Sequence, residues 1–231
     1  MKYVSIAIDG PSGAGKSTLA KKLAEKLAFL YVDTGAIYRT VGLYTRMRGV
    51  SPDDGASVAA LLPDITVTMK YGEDGLQRMY LNGEDVTDAI RQNEISAYAS
   101  KVSAIPEVRA FLLEMQRSTA AGNNVIMDGR DIGTVVLPNA DVKLFLTATA
   151  EDRAHRRFLE LLERGEQVEE AQILGDVRER DERDTNRPVA PLKQAEDAVL
   201  VDTTGNSLGE SFELICRVVN ELLAKEESEH E

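Results

Sequence analysis

The segment GPSGAGKST, Gly10 to Thr18, limits the possible folds of this chain more than any other feature. It matches the pattern G-x-x-x-x-G-K-[ST] and lies directly between an apolar β-branched run, YVSIAI, and a helical pattern from Lys16 to Ala28. The glycines let backbone N–H groups point at phosphate oxygens, and the N-terminal end of the helix attracts negative charge. A glycine-rich turn that only joins a strand to a helix is the alternative. The complete pattern in this position favours phosphate binding and predicts a nucleoside triphosphate site.

Each part of this loop has an expected partner. Lys16 is expected to reach the β- and γ-phosphates, and Ser17 to supply a hydroxyl group to Mg²⁺. The residues predicted to bind ATP are Gly10, Pro11, Ser12, Gly13, Ala14, Gly15, Lys16, Ser17 and Thr18.

Length and charge exclude several classes of protein. The 231 residues, 43% of them hydrophobic, suit one large α/β domain with inserted segments. With 27 basic and 39 acidic residues, the net charge of −12 argues against coating duplex DNA or anionic membranes. No run approaches the roughly 18 apolar residues of a membrane span, and the N-terminal run is too short for a signal peptide. A single cysteine, Cys216, fits a reducing compartment, so we expect a cytoplasmic protein.

Alternating strand and helix patterns predict a doubly wound α/β fold. The predicted strands are apolar and β-branched, and they lie at residues 3–8, 29–32, 124–127, 142–147 and 198–201. Runs that are apolar nearly throughout suit strands covered on both faces. We therefore expect a five-stranded parallel sheet with helices on both faces.

The long interval between the second and third predicted strands contains an inserted sheet. Ile65, Val67 and Met69 alternate with polar residues, and GEDG and NG are turn signals. These features predict a small antiparallel sheet at about residues 64–84. At the other end of the chain, the acidic tail KEESEHE is expected to fray.

The sequence offers little support for other nucleotide-dependent classes. A GTPase needs a guanine-reading Asn-Lys-x-Asp, which does not occur, and we interpret DTTG, Asp202 to Gly205, as a turn after a strand. A motor-like ATPase stays possible, but no module for it to drive is evident. Transfer of the γ-phosphate to a second molecule requires an acceptor site opposite the loop.

Two predicted strand ends carry residues that suit a second anion. Each strand end is followed by an arginine: DTGAIYR, from Asp33 to Arg39, comes after the second strand, while Asp128, Arg130 and Asp131 lie in DGRDIG after the third. Open sheets bind ligands at the carboxyl ends of their strands. The alternative is a set of surface ion pairs, each worth under about 1 kcal/mol. Two such strand ends beside one phosphate-binding loop favour an acceptor site.

These segments resemble those of the bacterial cytidylate kinases. GPSGAGKST, DTGAIYR, DGRDIGTVV, RAHRR and ERDERDTNRPVAPL occur here in the family's order, and the resemblance covers nearly the whole chain. It implies Mg²⁺-dependent transfer of the ATP γ-phosphate to CMP or dCMP. It also implies a core (1–33, 106–152 and 188–231), a CMP-binding arm (34–105) and a lid (153–187). We expect a monomer whose partners are nucleotides, not nucleic acid or membrane.

The resemblance also implies a role for each site residue. The residues implied to hold the CMP phosphate are Arg39, Arg130 and Arg187. Those implied to meet the cytosine ring are Ser100, Arg109 and Asp131. Arg180 and Asp184 are implied to bind the sugar hydroxyls, and Thr34 and Tyr38 to line the pocket. The implied catalytic residues are Lys16, Arg130, Arg153, Arg157 and Arg187.

Two positions depart from the family's usual residues. Family members often carry serine at the position of Thr34, and many carry Gly-Thr after the loop lysine. Both departures keep a hydroxyl group nearby, so either Ser17 or Thr18 could be the main Mg²⁺ ligand. Asp128 is interpreted as a residue that orients the metal ligands, with a structural turn residue as the alternative.

Asp131 suits recognition of cytosine on chemical grounds as well. The exocyclic amine of cytosine donates a hydrogen bond that a carboxylate can accept. Uracil would present a carbonyl oxygen to the same carboxylate, and the buried group would be left unpaired. We therefore expect poor phosphorylation of UMP.

The run RERDERDTNRPVAP, which starts at Arg178, concentrates guanidinium groups in an acidic chain. On a helix, Arg180, Asp184 and Arg187 share one face at i, i+4 and i+7. Pro188 disfavours helical backbone at the residue before it, so the helix is expected to end at or just before Arg187. With the preceding helical pattern and the turn RGEQ, this run predicts a helical hairpin that could act as a lid.

Other interpretations remain open at this point. A solvated helix face is the alternative for the whole run, and we favour it for Arg178 and Arg183. The chain could be another P-loop monophosphate or small-molecule kinase, or a nucleotide-binding switch without catalysis. An ATPase linked to nucleic acid is disfavoured by the acidity of the chain.

Overall fold

The computed structural model describes residues 3–229, which form two sheets and eight α-helices. The strands are β1 (Ser5–Asp9), β2 (Leu30–Asp33), β3 (Val67–Tyr71), β4 (Gln77–Leu81), β5 (Glu84–Asp85), β6 (Val125–Gly129), β7 (Val142–Thr147) and β8 (Val199–Asp202). The helices are α1 (Lys16–Leu27), α2 (Thr34–Met47), α3 (Gly55–Leu61), α4 (Asn93–Val102), α5 (Pro106–Ala121), α6 (Ala150–Glu163), α7 (Glu170–Asn186) and α8 (Leu208–Glu229).

The main sheet confirms the predicted fold class. Its five strands are parallel in the order β2-β6-β1-β7-β8, and each begins and ends within two residues of a predicted run. The central strands are continuously apolar because both of their faces are covered. Ile6, Ala7 and Ile8 of β1, for example, have no exposed surface.

Strand β1 is the switch point of the sheet. Asp9 at its end is in register with Gly129 of β6 on one side and with Phe145 of β7 on the other. The chain leaves β1 for one edge of the sheet, at β2, and leaves β7 for the opposite edge, at β8. In open parallel sheets, ligands bind at the carboxyl ends of the strands where these directions diverge. The glycine-rich loop lies there, between β1 and α1.

The described residues divide into two compact units. One contains the chain up to Leu30 and from Asn123 onward, and the other is Tyr31–Gly122. The finer division expected from the sequence, into core, arm (34–105) and lid (153–187), stays a prediction.

The Tyr31–Gly122 unit contains the antiparallel sheet that was predicted at about residues 64–84. Its order is β3-β4-β5, with Val67 opposite Leu81 and Met69 opposite Met79. Helices α2 and α4 pack closely at Gly42, where an added Cβ would lie only 3.0 Å from the backbone nitrogen of Ala99. Helix α3 and two short 3-10 segments in this unit were not predicted.

Helices α6 and α7 form the predicted helical hairpin in the other unit. They share a small apolar cluster of Ala154, Leu161 and Ile173, which explains why two such polar helices pack together. Helix α7 ends at Asn186, directly before Arg187, as the following proline predicts.

The chain ends in the long helix α8. Its backbone is helical through Glu229, so the expectation that KEESEHE frays is wrong over most of that tail, while His230 and Glu231 lie outside the described residues. Within residues 3–229, no helix is long and apolar enough to cross a membrane.

Candidate active site

The loop between β1 and α1 has a backbone that only glycine adopts easily. Gly10, Gly13 and Gly15 have φ values of 146°, 77° and 82°. At Gly10, an added Cβ would lie 1.9 Å from the carbonyl oxygen of Leu146 on β7, so the loop is pressed against the neighbouring strand. The last glycine, Gly15, is the N-cap residue of α1, and this arrangement brings backbone N–H groups to the N-terminal end of that helix.

Lys16 is buried inside this loop. Its ammonium group donates a hydrogen bond of 2.7 Å to the carbonyl oxygen of Pro11, and the residue is 5% exposed. Burial lowers the pKa of Lys16 well below its usual value, and the nearby charge of Arg130 lowers this pKa further. The loop therefore contains a buried cationic group that a polyphosphate would stabilise in its charged form.

The next residue of the loop contacts a strand end. The hydroxyl group of Ser17 donates a hydrogen bond of 2.9 Å to Oδ2 of Asp128, at the end of β6. Within residues 3–229, we find no group of three or more His, Cys, Asp or Glu side chains that could hold a metal ion. A hydroxyl group oriented by one carboxylate suits Mg²⁺, which is usually held by one or two protein oxygens together with substrate phosphates and water.

Asp9 organises the turn after β6, a role that the sequence did not reveal. Its two carboxylate oxygens accept hydrogen bonds of 2.8 and 2.7 Å from the backbone N–H groups of Ile132 and Gly133. These residues begin a π-helical segment, Ile132–Val136, directly after the site residues Arg130 and Asp131. Asp9 thus ties the strand that leads into the phosphate-binding loop to the turn that carries the acceptor-site candidates.

Asp9 should make stability depend on pH. Burial raises its pKa from 3.8 to about 6, although the two backbone hydrogen bonds lower it. The stability that neutral Asp9 contributes is therefore present below about pH 4 and lost as the pH rises through 6. The total loss is about 3 kcal/mol.

Urea unfolding of the wild type and of Asp9→Asn isolates this effect. The difference in unfolding free energy, wild type minus variant, should fall by about 2 kcal/mol between pH 4.5 and pH 7. Asp176→Asn, at an exposed position of α7, supplies a matched control for the loss of one carboxylate. A constant difference for Asp9→Asn would contradict the assigned pKa.

The end of α7 is joined to the turn after β6 by two ion pairs. Nε of Arg130 donates to Asp184 at 2.8 Å, and Nη2 of Arg187 donates to Asp131 at 3.2 Å. The side chains of Asp131 and Arg187 are only 5% and 4% exposed. Four residues predicted for the acceptor site are therefore neighbours in one unit.

Nearby arginines favour the ionised form of Asp184. Burial alone would raise the pKa of Asp184. Arg130, Arg180 and Arg187 together outweigh that effect and hold the pKa of Asp184 below its usual value. The half-buried Arg180 is thus electrostatically part of the cluster.

The two arginines predicted on α6 lie in different surroundings. Arg153 is buried and donates to the carbonyl oxygens of Ser12 and Ala148 and to both carboxylate oxygens of Asp181. Arg157 is partly exposed and pairs with Glu160 on its own helix. The geometry brings Arg153 into contact with the phosphate-binding loop through the carbonyl oxygen of Ser12.

Within the Tyr31–Gly122 unit, Arg39 lies at the start of α2. Asp33 caps this helix by accepting a hydrogen bond from the backbone of Ala36, and it also accepts one of 2.7 Å from Nη2 of Arg39. Gln77 of the inserted sheet pairs through its side-chain amide with the backbone N–H and C=O of Asp33. The inserted sheet thus supports the segment that carries Arg39.

The other candidates of this unit are buried polar residues. Thr34, Ser100 and Arg109 are each less than a tenth exposed. The guanidinium group of Arg109 lies 5.5 Å from the ring centre of Tyr38, within cation–π range. Two of the residues predicted for the acceptor nucleotide, Tyr38 and Arg109, therefore contact each other.

Comparisons with known proteins point to one family. The chain matches the family model described as cytidylate kinase over residues 6–221. A cytidylate kinase of Caldicellulosiruptor bescii is 49% identical to it over 98% of this chain and 100% of that protein. A cytidylate kinase of Carboxydothermus hydrogenoformans is 49% identical over 93% of this chain and 96% of that protein.

A solved structure shares the fold. The chain is similar to an uncharacterized protein from Eubacterium ventriosum, with a TM-score of 0.53 and 14% identity, over 95% of this chain and 99% of that one. At this identity the likeness concerns the fold alone.

Proposed function

The chain belongs to the cytidylate kinase family, and on that premise we propose that it transfers the γ-phosphate of ATP to CMP or dCMP. The observation that carries this proposal is the position of two cationic groups at the ends of adjacent strands. The loop with Lys16 follows β1, and the turn with Arg130 follows β6, which pairs with β1. A site for two phosphorylated nucleotides needs cations on both sides of the transferred group.

ATP would be held by the phosphate-binding loop. The backbone N–H groups of the loop and the ammonium group of Lys16 would contact its β- and γ-phosphates. The Ser17 hydroxyl, oriented by Asp128, would be a ligand of Mg²⁺ bound with ATP, and that ion would neutralise phosphate charge. Thr18 is the alternative source of this hydroxyl.

The residues that we propose for CMP are those that the family resemblance implies. Arg39, Arg130 and Arg187 would bind its phosphate, and Asp131 would accept from the exocyclic amine of cytosine. The remaining residues proposed for CMP are Thr34, Tyr38, Ser100, Arg109, Arg180 and Asp184. Since Arg130 and Arg187 already donate to carboxylates, a bound CMP phosphate would compete for their N–H groups.

The reaction needs no nucleophile from the protein. An oxygen of the CMP phosphate attacks the γ-phosphorus in line, the bond to the β–γ bridging oxygen breaks, and ADP leaves. The protein aligns two anions whose repulsion is screened by Lys16 and the arginines. Each charge-assisted contact is worth about 1.5–3 kcal/mol, so several must act together.

An assay of the chain with ATP, Mg²⁺ and each of CMP, dCMP, UMP, AMP and dTMP tests the function. We expect rapid formation of CDP and dCDP and little product from the other monophosphates. Preference for another monophosphate would indicate a different kinase of this fold. ATP binding without any diphosphate product would indicate a switch, and stimulation of ATP hydrolysis by DNA or RNA would indicate a nucleic-acid-linked ATPase.

The metal ligand can be identified by paired substitutions. Ser17→Ala should raise the free Mg²⁺ concentration for half-maximal rate about 10- to 100-fold, because it removes the hydroxyl that Asp128 orients. Thr18→Val should leave the Mg²⁺ concentration for half-maximal rate within about twofold. The measurement is the initial rate against free Mg²⁺ at fixed ATP and CMP, and the reverse order of effects would assign the metal to Thr18.

We also propose that the enzyme acts in the cytoplasm as a monomer. Its one cysteine, Cys216, is a buried free thiol, which suits a reducing compartment. Light scattering during gel filtration should give the mass of a single chain.

A further inference from the structure

Three buried or half-buried ion pairs attach the C-terminal half of α7 and the residue after it, Arg187, to the rest of their unit. Two of them, Arg130–Asp184 and Arg187–Asp131, use residues that we assign to CMP. In the third, Arg153 donates to Asp181 at 3.0 and 2.6 Å, so both carboxylate oxygens are used. Asp181 has no role in the proposed CMP site.

This third ion pair reaches the ATP-binding loop. Nη1 of Arg153 also donates a hydrogen bond of 3.0 Å to the carbonyl oxygen of Ser12. The C=O of Ser12 and the N–H of Gly13 belong to one planar trans peptide group and point in opposite directions. By holding the carbonyl oxygen, Arg153 therefore directs the N–H of Gly13 away from itself. That N–H is one of the groups that the loop offers to phosphate.

From these contacts we propose that Asp181 is a positioning residue that couples the two nucleotide sites, so that each nucleotide strengthens the binding of the other. Asp181 lies between Arg180 and Asp184 on α7, so CMP bound to those two residues would act on Arg153, and through it on the loop, by way of Asp181. The inference rests on the proposed cytidylate kinase function. Coupling of this kind is reciprocal and typically changes affinity about 5- to 150-fold.

The chain offers two matched controls. Glu151 of α6 pairs with Arg178 of α7 at 2.6 Å, but both side chains are 62% exposed. Glu151→Gln therefore breaks a link between the same two helices without touching the loop. Glu182→Gln removes one negative charge next to Asp181 on an exposed position of the same helix.

The test is the affinity for a non-hydrolysable ATP analogue with Mg²⁺, measured by titration calorimetry with and without saturating CMP. The wild type should bind the analogue about tenfold more tightly when CMP is present. Asp181→Asn should reduce this ratio to within about twofold of one, and Asp181→Glu should restore part of it. Glu151→Gln and Glu182→Gln should keep the wild-type ratio.

A second variant tests the same contact from the side of Arg153, in case Asp181→Asn does not fold. Arg153→Lys keeps the positive charge but loses the planar fork that contacts Asp181 and Ser12 together, so it should also lower the ratio. Thermal unfolding verifies that each variant is folded.

Three results would overturn the inference: a wild-type ratio of one, an unchanged ratio in Asp181→Asn, or an equal loss in Glu151→Gln. The proposed function fails separately, if the wild type forms no CDP from ATP and CMP.

Discussion

Replacing Lys16 by methionine should lower kcat/KM for ATP by at least about a thousandfold at saturating CMP. Negative charge shifts towards the β–γ bridging oxygen as that bond breaks, and a cation placed beforehand stabilises this charge without reorganisation. Methionine has a similar length but no charge and no N–H donor. The measurement is the initial rate of CDP formation as ATP is varied.

The melting temperature of Lys16→Met shows whether the loss of activity comes from damage to the fold. In Lys16→Met, the hydrogen bond to Pro11 is lost, but the penalty of burying an ammonium group is also relieved. These effects have opposite signs, so the melting temperature should change little while activity is lost. Lys21→Met, at an exposed position of the same helix, should keep activity within about twofold. Retention of more than a tenth of the activity in Lys16→Met would contradict the role of this lysine.

The sequence predicts those features that depend on local pattern. The five parallel strands were predicted because each is an apolar β-branched run, and Gly10, Gly13 and Gly15 because a phosphate-binding loop needs their backbone freedom. The end of α7 followed from Pro188. These properties need only neighbouring residues, so one sequence is enough to show them.

Contacts between distant segments could not be predicted in this way. Asp9 binds a turn 123 residues away in sequence, yet in the sequence it is only the residue that ends an apolar run. Asp181 resembles any acid in a charged helix until Arg153 is found beside it. Gln77 gains its contact with Asp33 because the inserted sheet folds next to α2. Each depends on pairing that a sequence pattern does not encode.

The same limit applies to the acceptor site. The family resemblance implied a role for each of Arg130, Asp131, Asp184 and Arg187. It did not show that Arg130 pairs with Asp184 and that Arg187 pairs with Asp131. That arrangement has a consequence for substitutions, because any change at Asp131 also removes or weakens a partner of Arg187. An experiment on base selectivity should therefore replace Asp131 by a residue that keeps a hydrogen-bond acceptor for Arg187.

Replacing Asp131 by asparagine should reduce the preference for CMP over UMP about a hundredfold, measured as the ratio of kcat/KM values. The carboxylate can only accept hydrogen bonds, so it suits the amine of cytosine and repels the carbonyl oxygen of uracil. A side-chain amide can accept through its oxygen or donate through its nitrogen, so it serves either base. Its oxygen can still accept from Arg187, whereas Asp131→Ala would leave that buried guanidinium group without this partner.

Comparison with a second buried acid shows whether the change is specific to the base. Asp184 lies in the same cluster and pairs with Arg130, but we assign it to the sugar. Asp184→Asn should therefore slow CMP and UMP equally and leave their ratio within about twofold of the wild type. Asp131→Ala should lower the ratio as Asp131→Asn does, but with a greater loss of CMP turnover. If the ratio is unchanged in both variants of Asp131, another residue reads the base, and the buried Arg109 would be the next candidate.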